Sequence, residues 1–207
     1  MRILIQTGLM LLLPSVAFAQ SASATDAAPG HGFIAVSPLS MTDDSERRLR
    51  GARLSDDSLW SVDAAVFFAR NIAVGVEAMS LESVTRQQSY ASFSSNDTED
   101  ERAVLVMPRA RVFAKRRVAL DVAFGGGIAY QHWTFHMVNR FPPVVVNDRI
   151  VDEKSPALGV GLDGPLSLVP HLALLPMVRL YLVNHTQTDS GGWSSRVALG
   201  IGAGVKW

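Results

Sequence analysis

The stretch VALGIGAGVKW, residues 197 to 207, alternates with a period of two, but its second face is not the polar one a half-buried soluble strand would show. Val197, Leu199, Ile201, Ala203, Val205 and Trp207 share one parity, while Ala198, Gly200, Gly202, Gly204 and Lys206 share the other. Successive side chains of a strand point to opposite faces, so one face is greasy and the other nearly bare. A bare face suits a narrow, crowded interior into which neighbouring strands project larger groups.

The same pattern recurs through the chain. SLWSVDAAVFFAR sets Trp60, Val62, Ala64, Val66 and Phe68 against Ser61, Asp63, Ala65, Phe67 and Ala69. After a turn at Asn71, IAVGVEAMSLE sets Ile72, Val74, Val76 and Ala78 against Ala73, Gly75, Glu77 and Met79. Two further strands flank Lys115-Arg116-Arg117, with Val104, Val106, Ala110 and Val112 on the apolar face of the first and Val118 to Tyr130 on that of the second. Another pair flanks Val169-Pro170-His171, and GFIAVSPLSMT makes a first strand, for eight in all.

Connections alternate in length. Three are tight, near Arg70-Asn71, Lys115–Arg117 and Val169–His171. Four are long and polar: MTDDSERRLRGARLSDD, QQSYASFSSNDTEDE, Met137 to Lys154, and NHTQTDSGGW. Short turns at one end, long loops at the other and apolar faces turned away from the small ones make the pattern of an outer-membrane barrel. In lipid an open sheet would leave backbone groups unpaired at its edges, so the strands must close. The predicted fold is therefore all-β: an eight-stranded antiparallel up-and-down transmembrane β-barrel.

Charge placement supplies an independent check. Asp63, Glu77, Arg109, Arg111, Asp121, Asp163 and Arg179 all fall on the inward parity, and no strand-centre charge falls on the outward one. A cation on the lipid face near the midplane costs ~2–4 kcal/mol, whereas a lumen charge can pair. The seven are expected to form a mutually neutralising belt in the lumen, toward the tight turns.

The first residues set the compartment. Arg2, the apolar run from Ile3 to Leu13, and Ala17-Phe18-Ala19 read as a signal peptide over 1–19, cut before Gln20. A leader over 20–31 and a barrel over 32–207 follow. The absence of Cys excludes a lipid-anchored lipoprotein, disulfides, thiol catalysis and thiolate metal sites. Loss of Arg2 takes the 19 basic residues one below the 19 acidic ones, and nothing in that balance asks for nucleic acid.

From Gly32 to Trp207 the chain resembles the small eight-stranded bacterial outer-membrane barrels of the OmpA-transmembrane-domain and OmpX kind. The signal peptide, the loop rhythm and the terminal aromatic strand carry the resemblance. It implies a Gram-negative outer membrane, a monomer among lipid and lipopolysaccharide, and handling by periplasmic chaperones and the barrel-assembly machinery. The resemblance further implies that Trp207 is an assembly signal, although Phe is commoner there. It carries over no catalytic or receptor motif.

Several constellations have blander readings. His132 and His136 are spaced as a helical zinc pair, but on a strand i, i+4 spans ~13 Å, too far for one metal. FGGGIAY and GIGAG lack the helix and spacing of a dinucleotide loop. His185 with Thr186, Asp189 and Ser190 offers the groups of a lipid-acting hydrolase, within a composition ordinary for a turn. The acid-rich loops, including Glu99, Asp100 and Glu101, read as solvated surface rather than calcium sites. Pro108 and Pro176, mid-strand on the lipid face, predict bulges or kinks. The expectation is a non-enzymatic outer-membrane barrel without cofactor or metal, structural or surface-interacting, its lumen plugged by charge. A lipase or deacylase-like enzyme and a small pore are the alternatives.

Overall fold

The computed structural model describes residues 29–43, 53–56, 59–89, 91–115, 117–141, 143–185 and 192–207. The predicted signal peptide and most of the leader lie outside these residues. Ten strands are formed: β1 (Gly32–Asp43), β2 (Arg53–Asp56), β3 (Leu59–Ala69), β4 (Ile72–Ser89), β5 (Phe93–Lys115), β6 (Val118–Arg140), β7 (Pro143–Asp163), β8 (Leu166–Val169), β9 (Leu172–His185) and β10 (Gly192–Lys206). All pairings are antiparallel between neighbours, and β10 returns to β1 from Phe33↔Lys206 to Asp43↔Arg196, which closes the ring. Two short strands prolong others: β2 continues the β3 position beside β4, and β8 continues β7 beside β9. The ring therefore has eight staves.

Parity behaves as the sequence predicts. Along β3, Ser61, Asp63, Ala65 and Phe67 are buried while Trp60, Val66 and Phe68 are exposed. Along β10, Val197, Leu199, Ile201 and Val205 are exposed and Ala198 is buried. The apolar side chains thus form an outward belt, which is stable only against lipid. The tight turns also hold, and Asn71, at φ 64°, adopts the left-handed conformation that Asn tolerates better than most residues.

Three expectations need correction. QQSYASFSSNDTEDE and the stretch from Met137 to Lys154 are not long loops: β4 runs to Ser89 and β5 resumes at Phe93, while β6 runs to Arg140 and β7 resumes at Pro143. A hairpin ladder begun in lipid keeps gaining backbone hydrogen bonds beyond it, so polar composition alone does not end a strand. At 23 residues each, β5 and β6 are about twice the ~9–11 that span a bilayer. Second, neither Pro108 nor Pro176 carries the register shift of a bulge, although the β5–β6 pairing skips Met107 and Pro108; the β5 shift lies between Arg111 and Phe113. Pro176 sits where β7 gives way to β8, and its carbonyl accepts from the Gly164 amide at 2.8 Å. Third, the shift past Arg111 reverses the alternation, so Phe113, which shares the lumen parity of Arg109 and Arg111 in the sequence, is 50% exposed.

Gly125, Gly126 and Gly127 test the packing directly. A Cβ on Gly125 or Gly127 would meet the Val106 or Val104 carbonyl oxygen at 1.9 Å, whereas one on Gly126 would meet Leu158 Cδ2 at 3.2 Å and the Ala157 carbonyl oxygen at 3.4 Å. Gly127→Ala should cost on the order of 1–3 kcal/mol, the usual scale of overpacking, and Gly126→Ala close to nothing. Urea titrations of the folded barrel, read by gel mobility without boiling, check this. Equal midpoints for the two variants would refute the inward assignment.

Candidate functional site

All seven charges predicted for the lumen are buried, none more than 8% exposed. They come from six strands because each sits on the inward parity of its own, and the closed ring brings those faces together. Arg179 on β9 is the hub. Its Nε donates to Glu77 Oε2 at 3.1 Å and its Nη2 to Asp163 Oδ2 at 3.0 Å, while Nη1 reaches Asp163 Oδ1. Arg109 on β5 bridges Asp163 and Asp63, and its guanidinium lies 5.3 Å from the Phe33 ring centroid. Arg111 grips Asp121 through two bonds of 2.8 and 3.0 Å and stacks 4.7 Å over Phe67. Four carboxylates therefore meet three guanidiniums.

Small residues make this possible. Arg179 lies between Gly161 on β7 and Ala198 on β10, and Arg109 between Ala73 and Ala123. A Cβ on Gly161 would sit 2.4 Å from Arg179 Nη1. Next to the charges lies an apolar layer, where Met79, Leu105, Met107, Tyr181 and Val183 are each at most 2% exposed.

Parity reading missed further members. Tyr181 donates its hydroxyl to Glu77 Oε1 at 2.9 Å. Arg196 is 6% exposed and pairs with Glu101, which is wholly buried. Glu99 and Glu101, read as solvated loop acids, face inward on β5, and Gln131 donates to Glu99 at 2.7 Å. Each of these lies on the inward parity of its strand, which is the signal that could have found it. Two buried atoms of the seven-residue cluster, Asp63 Oδ1 and Arg109 Nε, have no hydrogen-bond partner.

Other candidates fall apart. His132 and His136 lie on β6 and pair across to Asp152 and Asp148 of β7, at 2.7 and 3.6 Å, rather than sharing an ion. Among the described residues no group of three His, Asp or Glu can hold a metal. His185 ends β9, while Thr186, Asp189 and Ser190 lie outside the described residues. Trp207 exchanges two 3.1 Å backbone bonds with Gly32 and is 52% exposed.

Beyond the lipid belt the sheet opens. The β7–β9 ladder extends only from Ala157↔Val183 to Asp163↔Met177. From Pro143 to Pro156, β7 pairs with β6 alone, and its other edge has no strand among the described residues. Residues 143–150 are exposed on both faces, with Val144, Val145, Val146 and Ile150 between 52% and 65%.

No protein-family model and no characterised protein sequence matches the chain. Among solved structures it is similar to Ail, the attachment invasion locus protein of Yersinia pestis, in complex with the heparin analogue sucrose octasulfate, at a TM-score of 0.50 and 14% identity over 86% of this chain and 99% of that one. Ail without that ligand (TM-score 0.49, 13% identity, 86% and 99% covered) and a major outer membrane protein of Thermus thermophilus (0.48, 11%, 86% and 99%) resemble it too. At such identities the likeness is one of fold. Ring closure, the inverted faces and that likeness agree: the chain has the fold of the small eight-stranded outer-membrane β-barrels.

Proposed function

We propose that this chain is a surface-interaction protein of a Gram-negative outer membrane, exported by its signal peptide and assembled by periplasmic chaperones and the barrel-assembly machinery. It is not an enzyme, and the ion-pair cluster plugs its lumen. The observation that carries the reading is the edge of β7 from Pro143 to Asp152, beside which no strand lies among the described residues. A free edge presents unpaired N–H and C=O groups, which proteins ordinarily cover or protect with charge. Here the exposed run Val144-Val145-Val146 lies along it, which suits an extended polypeptide added as a further strand.

The reading requires the arms to face outward. Cysteine at Ser94, beside the β4–β5 tip, should react with a membrane-impermeant maleimide on intact cells, and cysteine at Lys115 should not; reversed labelling would reject this orientation. Adhesion is the functional test. A non-adherent strain displaying the barrel should bind protein-coated surfaces, and Val144→Lys with Ile150→Lys should cut binding about tenfold, the scale of 1.4 kcal/mol. Ail, similar in fold, has been seen with a heparin analogue, so sulfated-glycan surfaces form a second arm. Unchanged adhesion in the double variant would remove β7 from the account.

A further inference from the structure

Charge divides the barrel by its ends. Toward the arms the outward face mixes both signs, with Asp100 and Arg102 on β5 and Asp152 and Lys154 on β7. At the tight-turn rim the described residues are 29–33, 68–73, 112–115, 117–120, 164–175 and 203–207, and no Asp or Glu is among them. Basic residues occupy every turn there. Arg70 lies between β3 and β4, Lys115 and Arg117 at the tip of the β5–β6 hairpin, and His171 between β8 and β9, all exposed. Lys206 ends β10 and joins them: its Nζ donates to Ser167 Oγ at 2.6 Å, while the Ser167 amide donates to the Arg117 carbonyl at 2.7 Å. The acids that follow, Asp121 and Asp163, are buried and already bonded to Arg111, Arg109 and Arg179. Apolar surface flanks the cations on the outward face. Lys115 pairs with Val118 and Phe113 with Leu120 across the hairpin, and Phe113, Val118 and Leu120 are exposed, as are Phe68 and Trp207.

We propose that this rim binds anionic phospholipid, with the phosphate at the β5–β6 tip and the acyl chains along the belt beside it. A cation at the surface of an anionic leaflet is attracted by every headgroup within a Debye length, and cations that share one rim add their effects. A zwitterionic headgroup gains less, because its own ammonium finds no carboxylate side chain among the described residues of this rim. Lys115 can lay its stem on Phe113 and Val118 while its ammonium reaches the headgroup level, where aromatic residues also settle. That apolar flank ties the rim to a lipid rather than to a soluble polyanion. With the arms outside, the rim meets the periplasmic leaflet, whose surface is phospholipid rather than lipopolysaccharide. The choice of leaflet rests on that orientation and the binding does not, so reversed maleimide labelling and failure of the lipid assay are separate results.

The test uses the folded full-length barrel in micelles holding equal phosphatidylglycerol and phosphatidylethanolamine, with retained lipid counted by native mass spectrometry. Wild type should retain phosphatidylglycerol roughly fivefold over phosphatidylethanolamine, the scale of one cation at an anionic surface. Raising the ammonium acetate about tenfold should remove most of that preference, since salt screens exposed charge. Lys115→Gln with Arg117→Gln should bring the two lipids near parity, whereas Arg102→Gln with Lys154→Gln at the other end should leave the preference intact. All four residues are exposed, so both variants should fold, and gel mobility without boiling confirms it. Excess soluble glycerol phosphate should displace nothing. Equal retention by wild type, a preference indifferent to salt or surviving loss of Lys115 and Arg117, its loss in the Arg102 and Lys154 variant, or displacement by glycerol phosphate would each overturn the proposal.

Discussion

Arg179→Ala will destabilise the folded barrel by about 3–5 kcal/mol, the largest effect expected of any single truncation in the lumen. The side chain is fully buried and serves Glu77 and Asp163 at once, with Asp63 3.7 Å away. Removing it does not merely delete those bonds. It leaves three carboxylates crowded in a low-dielectric space, with Arg109 still paired to Asp63 and Asp163 but Glu77 deprived of its guanidinium, and an uncompensated buried charge is what makes such truncations severe. Against a total stability of roughly 5–15 kcal/mol, that loss is a large fraction. Arg111→Ala should be milder, on the order of 1.5–3 kcal/mol, because Arg111 grips Asp121, apart from the acids that Arg179 and Arg109 share, and retains some exposure.

Equilibrium urea unfolding in detergent or bilayer, followed by tryptophan fluorescence, separates the two. The double variant Arg179→Met with Asp163→Leu carries the physical argument further. Replacing buried ion partners together by apolar groups of similar volume often restores or exceeds the original stability. It should therefore be more stable than Arg179→Ala alone, although Glu77 and Asp63 keep it below wild type. A loss under 1 kcal/mol for Arg179→Ala would mean that water, rather than protein, solvates the cluster.

Much of the barrel was legible in the sequence because lipid inverts the usual hydrophobic pattern and a strand has only two faces. Once Trp60, Val66 and Phe68 face lipid, Asp63 must face the lumen, and no tertiary information is needed to say so. The arms were illegible for the converse reason. In QQSYASFSSNDTEDE neither face is apolar, so alternation vanishes and the stretch reads as loop, yet the ladder pairs Val84 with Glu99 and Ser89 with Ser94. That pairing is inherited from the hairpin below it, which composition does not report. Phe113 was lost to a register shift, a one-residue event with no residue type that announces it. Glu101 and Arg196 were legible, since both share parity with buried neighbours, Ala103 and Ala198. Reading an acidic run as solvated surface overrode that signal.

The wild-type barrel will carry no steady ion current across a planar bilayer. Eight strands enclose a space just wide enough for side chains to fill. Two layers of different chemistry occupy it here. The first is the network of Arg109, Arg179, Asp63, Glu77 and Asp163, whose charges are already committed to one another. The second is the apolar layer of Met79, Leu105, Met107 and Val183, which gives a passing ion nothing to replace its water. Moving an unpaired charge into such surroundings is among the costliest transfers in protein chemistry. The layers act in series, so breaching one does not open the other. Folded Arg179→Ala barrel should be as silent as wild type despite its lower stability, which distinguishes a doubly sealed lumen from one closed by ion pairs alone. Steady conductance from Arg179→Ala but not from wild type would show that the charges are the only gate. A large open-channel current from wild type would replace the plugged-lumen reading with that of a small pore.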